Sequence, residues 1–424
     1  MQYGWMDDSG NDTMTGTIPK DDGMRGNDRQ PRLTVGLSGT NLVRVSDFNQ
    51  RVVLQAIRVG GGKVSRSELA AATGLTFPTI ANITRRLIEG GLVHETARIK
   101  GRRGSPASRL AIDPDGCFSL GVNIDRDHVA VVILDLAGGV RARHVEEVDF
   151  PSPALVVDFV HEWYARTADA LNLDRERFIG IGLAIPDDIG TIALPKMPES
   201  YGVWATTNVS SMLQERLGLP VLRDNDAAAA AIGEAQFGNG RRFTDFFYVL
   251  ISAGLGGAVV VDNEYVRGGN GRAGELGLLP ADFNHPAGPT VQDCVSLSEL
   301  RLRLERAGYE GSVAKLRADV ERHNPVVRDW SLEAAKTLTL PILTVNALLN
   351  PTAIFIGARL PSCLLDSIIL ELNRNIASLG SAVPNMALIQ RASHDEDAVA
   401  IGAAILPFIA HTLPSHAALM KNQS

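Results

Sequence analysis

Between Ser46 and Val59 the apolar residues Phe48, Val52, Val53 and Ile57 recur at helical spacing, which predicts a helix with one buried face. Ser65-Arg66-Ser67-Glu68 then reads as a capping box, in which serine and glutamate satisfy each other's free N–H groups, with Gly74 as the stop. After a tight turn, Thr76 caps a third predicted helix with Pro78 in its first turn, where proline loses no hydrogen bond. Ile80, Ile83 and Leu87 fall on its inner face. Thr79, Asn82 and Arg86 fall on another face, with Arg85 beside them, and Gly90-Gly91 ends the helix. Two strands are predicted to flank ARIKGRRGSPASR, which puts Arg98, Lys100, Arg102, Arg103 and Arg109 on a basic hairpin. From Phe118 the pattern changes. FSLGVNI, VAVVILDLAGG, FIGIGLAIP, PVLRDND, DFFYVLISAGLGGAVVV and AIFIGA are short β-rich runs alternating with helical patterns and glycine turns, the signature of an α/β domain.

Residues 1–40 are rich in Asp, Gly, Thr and Asn and poor in apolar residues, so a mostly disordered arm is expected there. No short-period repeat is visible. The longest uncharged run, Thr337–Ala358, is long enough to span a bilayer, but its two prolines, two asparagines and several threonines favour a buried helix, turn and strand.

Composition changes this picture in one respect. The chain has 424 residues, 45% hydrophobic and 21% charged, as soluble domains do, and a net charge of -7 that by itself argues against nucleic acid. The average conceals a division: residues 44–112 carry +8, residues 1–43 carry -2 and residues 113–424 carry -13. A basic module on an acidic body suggests a polyanion-binding head joined to a domain of different purpose. Asn and Arg can pair with base edges, Thr can touch a thymine methyl, and a basic hairpin suits phosphate or the minor groove. The plainer alternative is a helical hairpin with a solvated basic loop. A short helix, tight turn, polar-faced helix and basic hairpin in that order favour double-stranded DNA. The three cysteines, Cys117, Cys294 and Cys363, lie far apart, which argues against a disulfide scaffold or a thiolate-rich zinc site. The acidic N-terminus has no apolar core of the kind a signal peptide needs, and a cytoplasmic protein is expected.

The runs FNQRVVLQAIR, SRSELAAATGLT, GRRGSPASRLAI, LPVLRDNDAAAAAIGEAQFG, GGNGRAGELG, NPTAIFIGARL and AVAIGAAIL follow one another in an order that resembles the ROK family of repressors, open reading frames and kinases. The resemblance covers nearly all of the chain from about Phe48 onward. It implies an N-terminal winged helix-turn-helix over residues 41–112, followed by a two-lobed actin/hexokinase-like (RNase H-like) α/β domain over 113–424. Lobe 1 would hold about 116–230 with C-terminal helices 398–424, and lobe 2 about 231–397. It also implies roles. Asp226 matches the general base that takes the sugar hydroxyl proton in the family's kinases, and Asn225 and Glu275 match sugar ligands. Read without the resemblance, Asn225-Asp226 is equally a turn and helix cap.

Other family features are altered. An acidic residue and a Gly-Gly-Thr turn follow the first strand in the kinases; here Asn123 and then Asp125, Arg126 and Asp127 stand in GVNIDRDHV. Bulky side chains there block close approach of phosphate to the backbone, and two added carboxylates repel it. A second, residual phosphate loop is read in ISAGLGGAV, with Gly254, Gly256 and Gly257, though glycine there is equally a turn between strands. Arg359 stands where the adenine segment has glycine. The zinc motif is absent: Leu278 occupies the histidine position, Cys294 is the one cysteine in the segment, and His285 reads as a loop residue. The family's next sugar-side glutamate falls at Gln292 or Asp293. No cofactor is therefore expected, neither zinc nor ATP with Mg²⁺.

Two functions follow from this reading. One is a transcriptional regulator, usually a repressor of carbohydrate genes. It would bind a double-stranded DNA operator as a homodimer or dimer of dimers, and a sugar or sugar derivative as effector, with no membrane partner. The other is an ATP-dependent sugar kinase, of the glucokinase or N-acetylhexosamine kinase type, with an accessory DNA-binding domain. A sensor acting through proteins alone would leave the basic hairpin without a role.

Overall fold

The computed structural model describes residues 42–96, 108–191, 197–281, 288–380, 385–393 and 397–414. Its N-terminal unit holds α1 (Leu42–Val59), β1 (Val64–Ser65), α2 (Arg66–Thr73), α3 (Phe77–Glu89), β2 (Val93–Thr96) and β3 (Arg109–Ile112). The three strands form an antiparallel sheet in the order β1-β3-β2. Ser65 accepts from the Glu68 N–H, and the Glu68 carboxylate accepts from Ser65 N at 2.7 Å. Gly74 ends α2 in the left-handed region at φ 70°, where glycine lacks the Cβ that would strain other residues. Thr76 caps α3, which buries Ile80, Ile83, Thr84 and Leu87. Helix α1 is already formed at Leu42, four residues before the expected start. Ser46 and Asp47 resemble a cap, but Asp47 instead pairs with Arg51 one turn on at 3.0 Å, which stabilises it within the helix. Arg109 is also placed differently from its expected position on the hairpin. It opens β3 at the hairpin's base and donates to the Lys63 carbonyl.

The body contains two five-stranded sheets of one topology. In the first, β4 (Phe118–Ile124), β5 (His128–Asp135), β6 (Val140–Glu147), β7 (Phe178–Ala184) and β8 (Val221–Asp224) are ordered β6-β5-β4-β7-β8, with β4, β7 and β8 parallel. Helices α4 (Pro153–Ala170) and α5 (Val209–Leu217) cover it through Val156, Val160, Trp163 and Leu213. Helix α6 (Asp226–Phe237) follows. The second sheet, of β9 (Phe246–Ile251), β10 (Leu255–Val261), β11 (Glu264–Tyr265), β12 (Ala353–Ala358) and β13 (Leu388–Arg391), is ordered β11-β10-β9-β12-β13, and β9, β12 and β13 are parallel. Around it lie α7 (Val291–Cys294), α8 (Leu297–Arg306), α9 (Val313–Glu321), α10 (Pro325–Leu349) and α11 (Ser362–Ala377), sharing a core centred on Trp330. Helix α10 is the one described helix long and apolar enough to cross a membrane. It buries Trp330, Leu338 and Ile342 in this core, and Asn350 then turns the chain at φ 46° into β12. The expected division near residue 230 falls inside α6, which runs unbroken from Asp226 to Phe237.

Helix α12 (Ala398–His411) packs against α6 and against β4 and β7. Glycine permits close approach at several of these contacts. A Cβ at Gly402 would lie 1.8 Å from the Ala229 carbonyl oxygen, and one at Gly182 would lie 1.7 Å from that of Ala403. At these points the two helices and the first sheet meet backbone to backbone, which limits relative movement.

Candidate functional site

Parallel strands in open α/β sheets present their carboxyl ends to ligands, and the cleft lies there. Pro186, Asp187 and Asp188 follow β7, and Asn225 and Asp226 follow β8, all on one wall. Gly254, Gly256, Gly257, Gly271, Arg272, Glu275, Leu278 and Gln292 form the other. The sequence-derived residues Asn225, Asp226, Glu275, Gly254, Gly256 and Gly257 thus all line one cleft. Asn225 both caps a helix and faces the cleft. Its Oδ1 caps α6 by accepting from Ala227 N at 2.9 Å, while its Nδ2 donates to Asp187 at 3.1 Å inside the cleft. Gly254 lies in the β9–β10 turn, and Gly256 and Gly257 lie within β10. A Cβ at Gly257 would meet the Gly274 carbonyl oxygen at 2.4 Å, so this glycine lets the 271–275 loop reach the sheet.

Asp226 is the buried centre of the cleft. Burial raises its carboxyl, and the neighbouring Asp125 charge adds to that. A hydrogen bond from Ala227 N and the Arg126 charge oppose the rise, Asp187 reinforces it, and the balance lies at about 7. Burial likewise pushes Glu275 up against the pull of Arg272. Polar groups of this kind, converging on a small volume, can hold and identify a polyol, because each unmatched hydroxyl is costly.

Four charged residues that the sequence did not place in the cleft also line it: Arg126, Asp187, Asp188 and Arg272. Arg272 makes a two-pronged ion pair with Asp188 at 3.1 and 2.7 Å, and its Nε donates to Glu275 at 3.1 Å. The guanidinium spans the two walls of a cleft with about 60 Å³ of interior. The readable signal was Pro-Asp-Asp immediately after a parallel strand. Of the two possible positions for the family's next glutamate, Gln292 lines the cleft, whereas Asp293 is committed to Thr290, accepting from its N–H at 3.0 Å.

Beside the cleft, the 125–127 turn is filled by charge pairs. Asp127 Oδ1 lies 2.7 Å from His128 Nδ1, and its Oδ2 lies 3.4 Å from Arg301 and 3.3 Å from Arg359. Arg301 also reaches Asp149 at 3.1 Å, and Arg359 reaches Glu147. Burial alone would raise Asp127, but His128, Arg359 and Arg301 outweigh it and hold the carboxyl below the usual range. Arg359, which stands where the family's adenine segment has glycine, joins this cluster through its guanidinium and links the second sheet's β12 to the first sheet's β4–β5 turn and β6. Asp125, Asp127 and His128 are close enough to surround a cation, yet Arg126, Arg301 and Arg359 already balance their charge. Burial raises the Cys294 thiol to about 11, and His285 lies outside the described residues.

The second candidate surface is on α3. Asn82, Arg85 and Arg86 are exposed on one stripe. Thr79 is half-buried, and its hydroxyl lies 2.8 Å from that of Thr76 at the cap. Arg98, Lys100, Arg102 and Arg103 lie outside the described residues.

A model of the ROK family matches residues 119–408. The xylose repressor of Bacillus spizizenii is 28% identical over 247 residues, covering 57% of this chain and 62% of its own length. The DNA-binding transcriptional repressor Mlc of Escherichia coli is 25% identical over 321 residues, 70% of this chain and 78% of Mlc. A crystal structure described as a ROK family transcriptional regulator, homologous to the E. coli MLC protein, superposes with a TM-score of 0.63 at 23% identity, covering 86% of this chain and 96% of the other. At that identity the last likeness is one of fold.

Proposed function

The chain belongs to the ROK family, and from that premise we propose that it is a sugar-responsive transcriptional repressor. Its N-terminal unit acts as a winged helix-turn-helix. Helix α3 presents Asn82, Arg85 and Arg86 to the major groove, with Thr79 at its start, and Arg98, Lys100, Arg102 and Arg103 extend the contact from the wing. The cleft takes a sugar or sugar derivative through Asn225, Asp226 and Glu275. A homodimer, or a dimer of dimers, pairs the heads on duplex DNA.

One observation supports this reading over a kinase: next to the polar cleft, the turn that stands where the family's kinases receive phosphate is filled by Asp127, Arg301 and Arg359. A phosphate entering that turn would have to displace the pairs of Asp127 with Arg301 and Arg359. Mg²⁺-ATP is therefore expected to give neither a shift in melting midpoint nor sugar-dependent ADP formation. ADP release that disappears in Asp226→Asn would establish the kinase instead.

Duplex DNA from upstream of the protein's own gene should be retarded in a gel-shift assay, with affinity falling steeply as salt rises. Arg102→Ala with Arg103→Ala should weaken binding to all sequences. It should also flatten the salt dependence by roughly one slope unit for each phosphate left without its arginine. Asn82→Ala should relax preference at one base pair, at a cost of about 1–3 kcal/mol. No retardation even at low salt would remove the repressor reading.

A further inference from the structure

Helix α6 has one end in the ligand cleft and the other against the DNA-binding head. Its N-cap Asn225 and first residue Asp226 line the cleft. Twelve residues on, about 18 Å at 1.5 Å per residue, it ends at Gln236-Phe237. There Arg58, from the last turn of α1, donates from Nη2 to Gln236 Oε1 at 3.0 Å and places its guanidinium 4.5 Å above the Phe237 ring centroid. Gln55 holds the Nε of the same guanidinium at 2.9 Å. Farther along α1, Arg51 donates to the Ala410 carbonyl at 2.8 Å and the Ile409 carbonyl at 3.3 Å, at the end of α12. The cores are also continuous: Val53, Leu54 and Ile57 of α1 share one apolar cluster with Ile232, Leu406 and Phe408.

We propose that Arg58 is the positioning residue through which α6 transmits the state of the ligand cleft to the DNA-binding head, an inference that rests on the repressor reading. Arg272 on Asp188 and Glu275 ties the two walls of the cleft together, and a polyol that competes for these carboxylates would loosen that tie. Asn225 ties the start of α6 to Asp187 on the first-sheet wall. Near its other end the buried Glu234 accepts from Ser393 N at 2.8 Å, beyond β13 of the second sheet. Relative movement of the two walls must therefore shift or tilt α6. Its backbone contact with α12 leaves little slack, so the displacement reaches Gln236 and Phe237 largely intact. Arg58 receives it through a planar hydrogen bond and a ring contact, both sensitive to direction. Arg51 fixes the other part of α1 on α12, so α1 follows α6 and α12 as they move together and carries α3 with it.

A double-mutant cycle tests the coupling. Asp226→Asn removes a buried charge at the cleft end, and Arg58→Gln removes the contact at the head end without altering a DNA-facing residue. Affinity for duplex DNA from upstream of the protein's own gene would be measured by fluorescence anisotropy at pH 8. Asp226→Asn is expected to change the dissociation constant about threefold or more in the Arg58 background and to leave it unchanged in the Arg58→Gln background. A parallel series with D-xylose, D-glucose and N-acetyl-D-glucosamine reads the same point. A sugar that raises the melting midpoint of both proteins should loosen DNA from the wild type alone. Phe237→Leu, which removes only the ring, should reproduce Arg58→Gln and covers the case in which the arginine variant folds poorly. Equal responses in both backgrounds, or no effect of Asp226→Asn on DNA affinity, would overturn the coupling. Absence of DNA binding by the wild type would instead defeat the repressor reading beneath it.

Discussion

Asp226→Asn should make the unliganded protein more stable at pH 8 while removing its response to sugar. The carboxyl is 8% exposed and sits at about 7 rather than the ordinary 3.8, chiefly through burial and then the Asp125 charge. Between those two values the folded chain holds a proton that the unfolded chain has released. Stability contributed by this group is therefore full below 3.8, falls as pH rises through the window, and is lost above about 7. At about 1.4 kcal/mol per tenfold difference in proton affinity, the penalty at pH 8 has a ceiling of about 4 kcal/mol. An amide escapes it and can still accept from Ala227 N, as Asp226 does at 2.8 Å. A gain of about 2 kcal/mol would raise the melting midpoint of a body this size by roughly 3 °C. The variant and wild type should converge toward pH 4. A carboxylate accepts from two sugar hydroxyls where an amide offers one acceptor and two donors, so the sugar-dependent shift should vanish. Thermal melts of both proteins from pH 4 to pH 9 provide the check. Parallel curves across that range would mean that Asp226 titrates as an ordinary carboxyl. The cost in stability fits a group kept for binding, since such sites are commonly held at the expense of the fold.

Asp127→Ala should be the most destabilising substitution in the charge cluster beside the cleft. Removing this carboxylate leaves Arg359, with 7% of its side chain exposed, and Arg301 without their buried counterion. Breaking a buried ion pair from one side costs about 3–5 kcal/mol, because the remaining charge stays desolvated. The loss should survive high salt, since buried pairs are screened far less than surface pairs. Replacing charges on both sides, as in Asp127→Leu with Arg359→Met, should recover most of it. Denaturant midpoints of the single and double variants distinguish the two states. A single variant that melts with the wild type would show that the cluster contributes nothing to holding the sheets together. That outcome would also weaken the case against a nucleotide, since a corner so easily opened could admit phosphate.

Much of the local structure was legible because its causes are local. The Ser65–Glu68 capping box, the left-handed Gly74 and the Thr76 cap each depend on neighbours within four residues. FSLGVNI and AIFIGA became β4 and β12 residue for residue, because strands buried on both faces read as unbroken apolar runs. Strand β6 escaped notice for the opposite reason. VRARHVEE forms a solvent-facing edge, and its polar residues satisfy no apolar pattern. Asn225, Asp226 and Glu275 were found through family resemblance, and they line one cleft although some fifty residues separate the first two from the third.

Sequence alone therefore determined the caps of α2 and α3, the buried strands β4 and β12, and that a basic module precedes an acidic α/β body. Those properties follow from hydrogen bonding and burial within a few residues. Tertiary structure alone decided that Arg272 bridges Asp188 and Glu275, that Arg359 meets Asp127 and Glu147, and that Arg58 rests on Phe237. An arginine reads the same in a sequence whether it faces water, phosphate or a buried carboxylate. Its partner is set by which strand ends and helix ends the two sheets bring together, at separations of up to hundreds of residues.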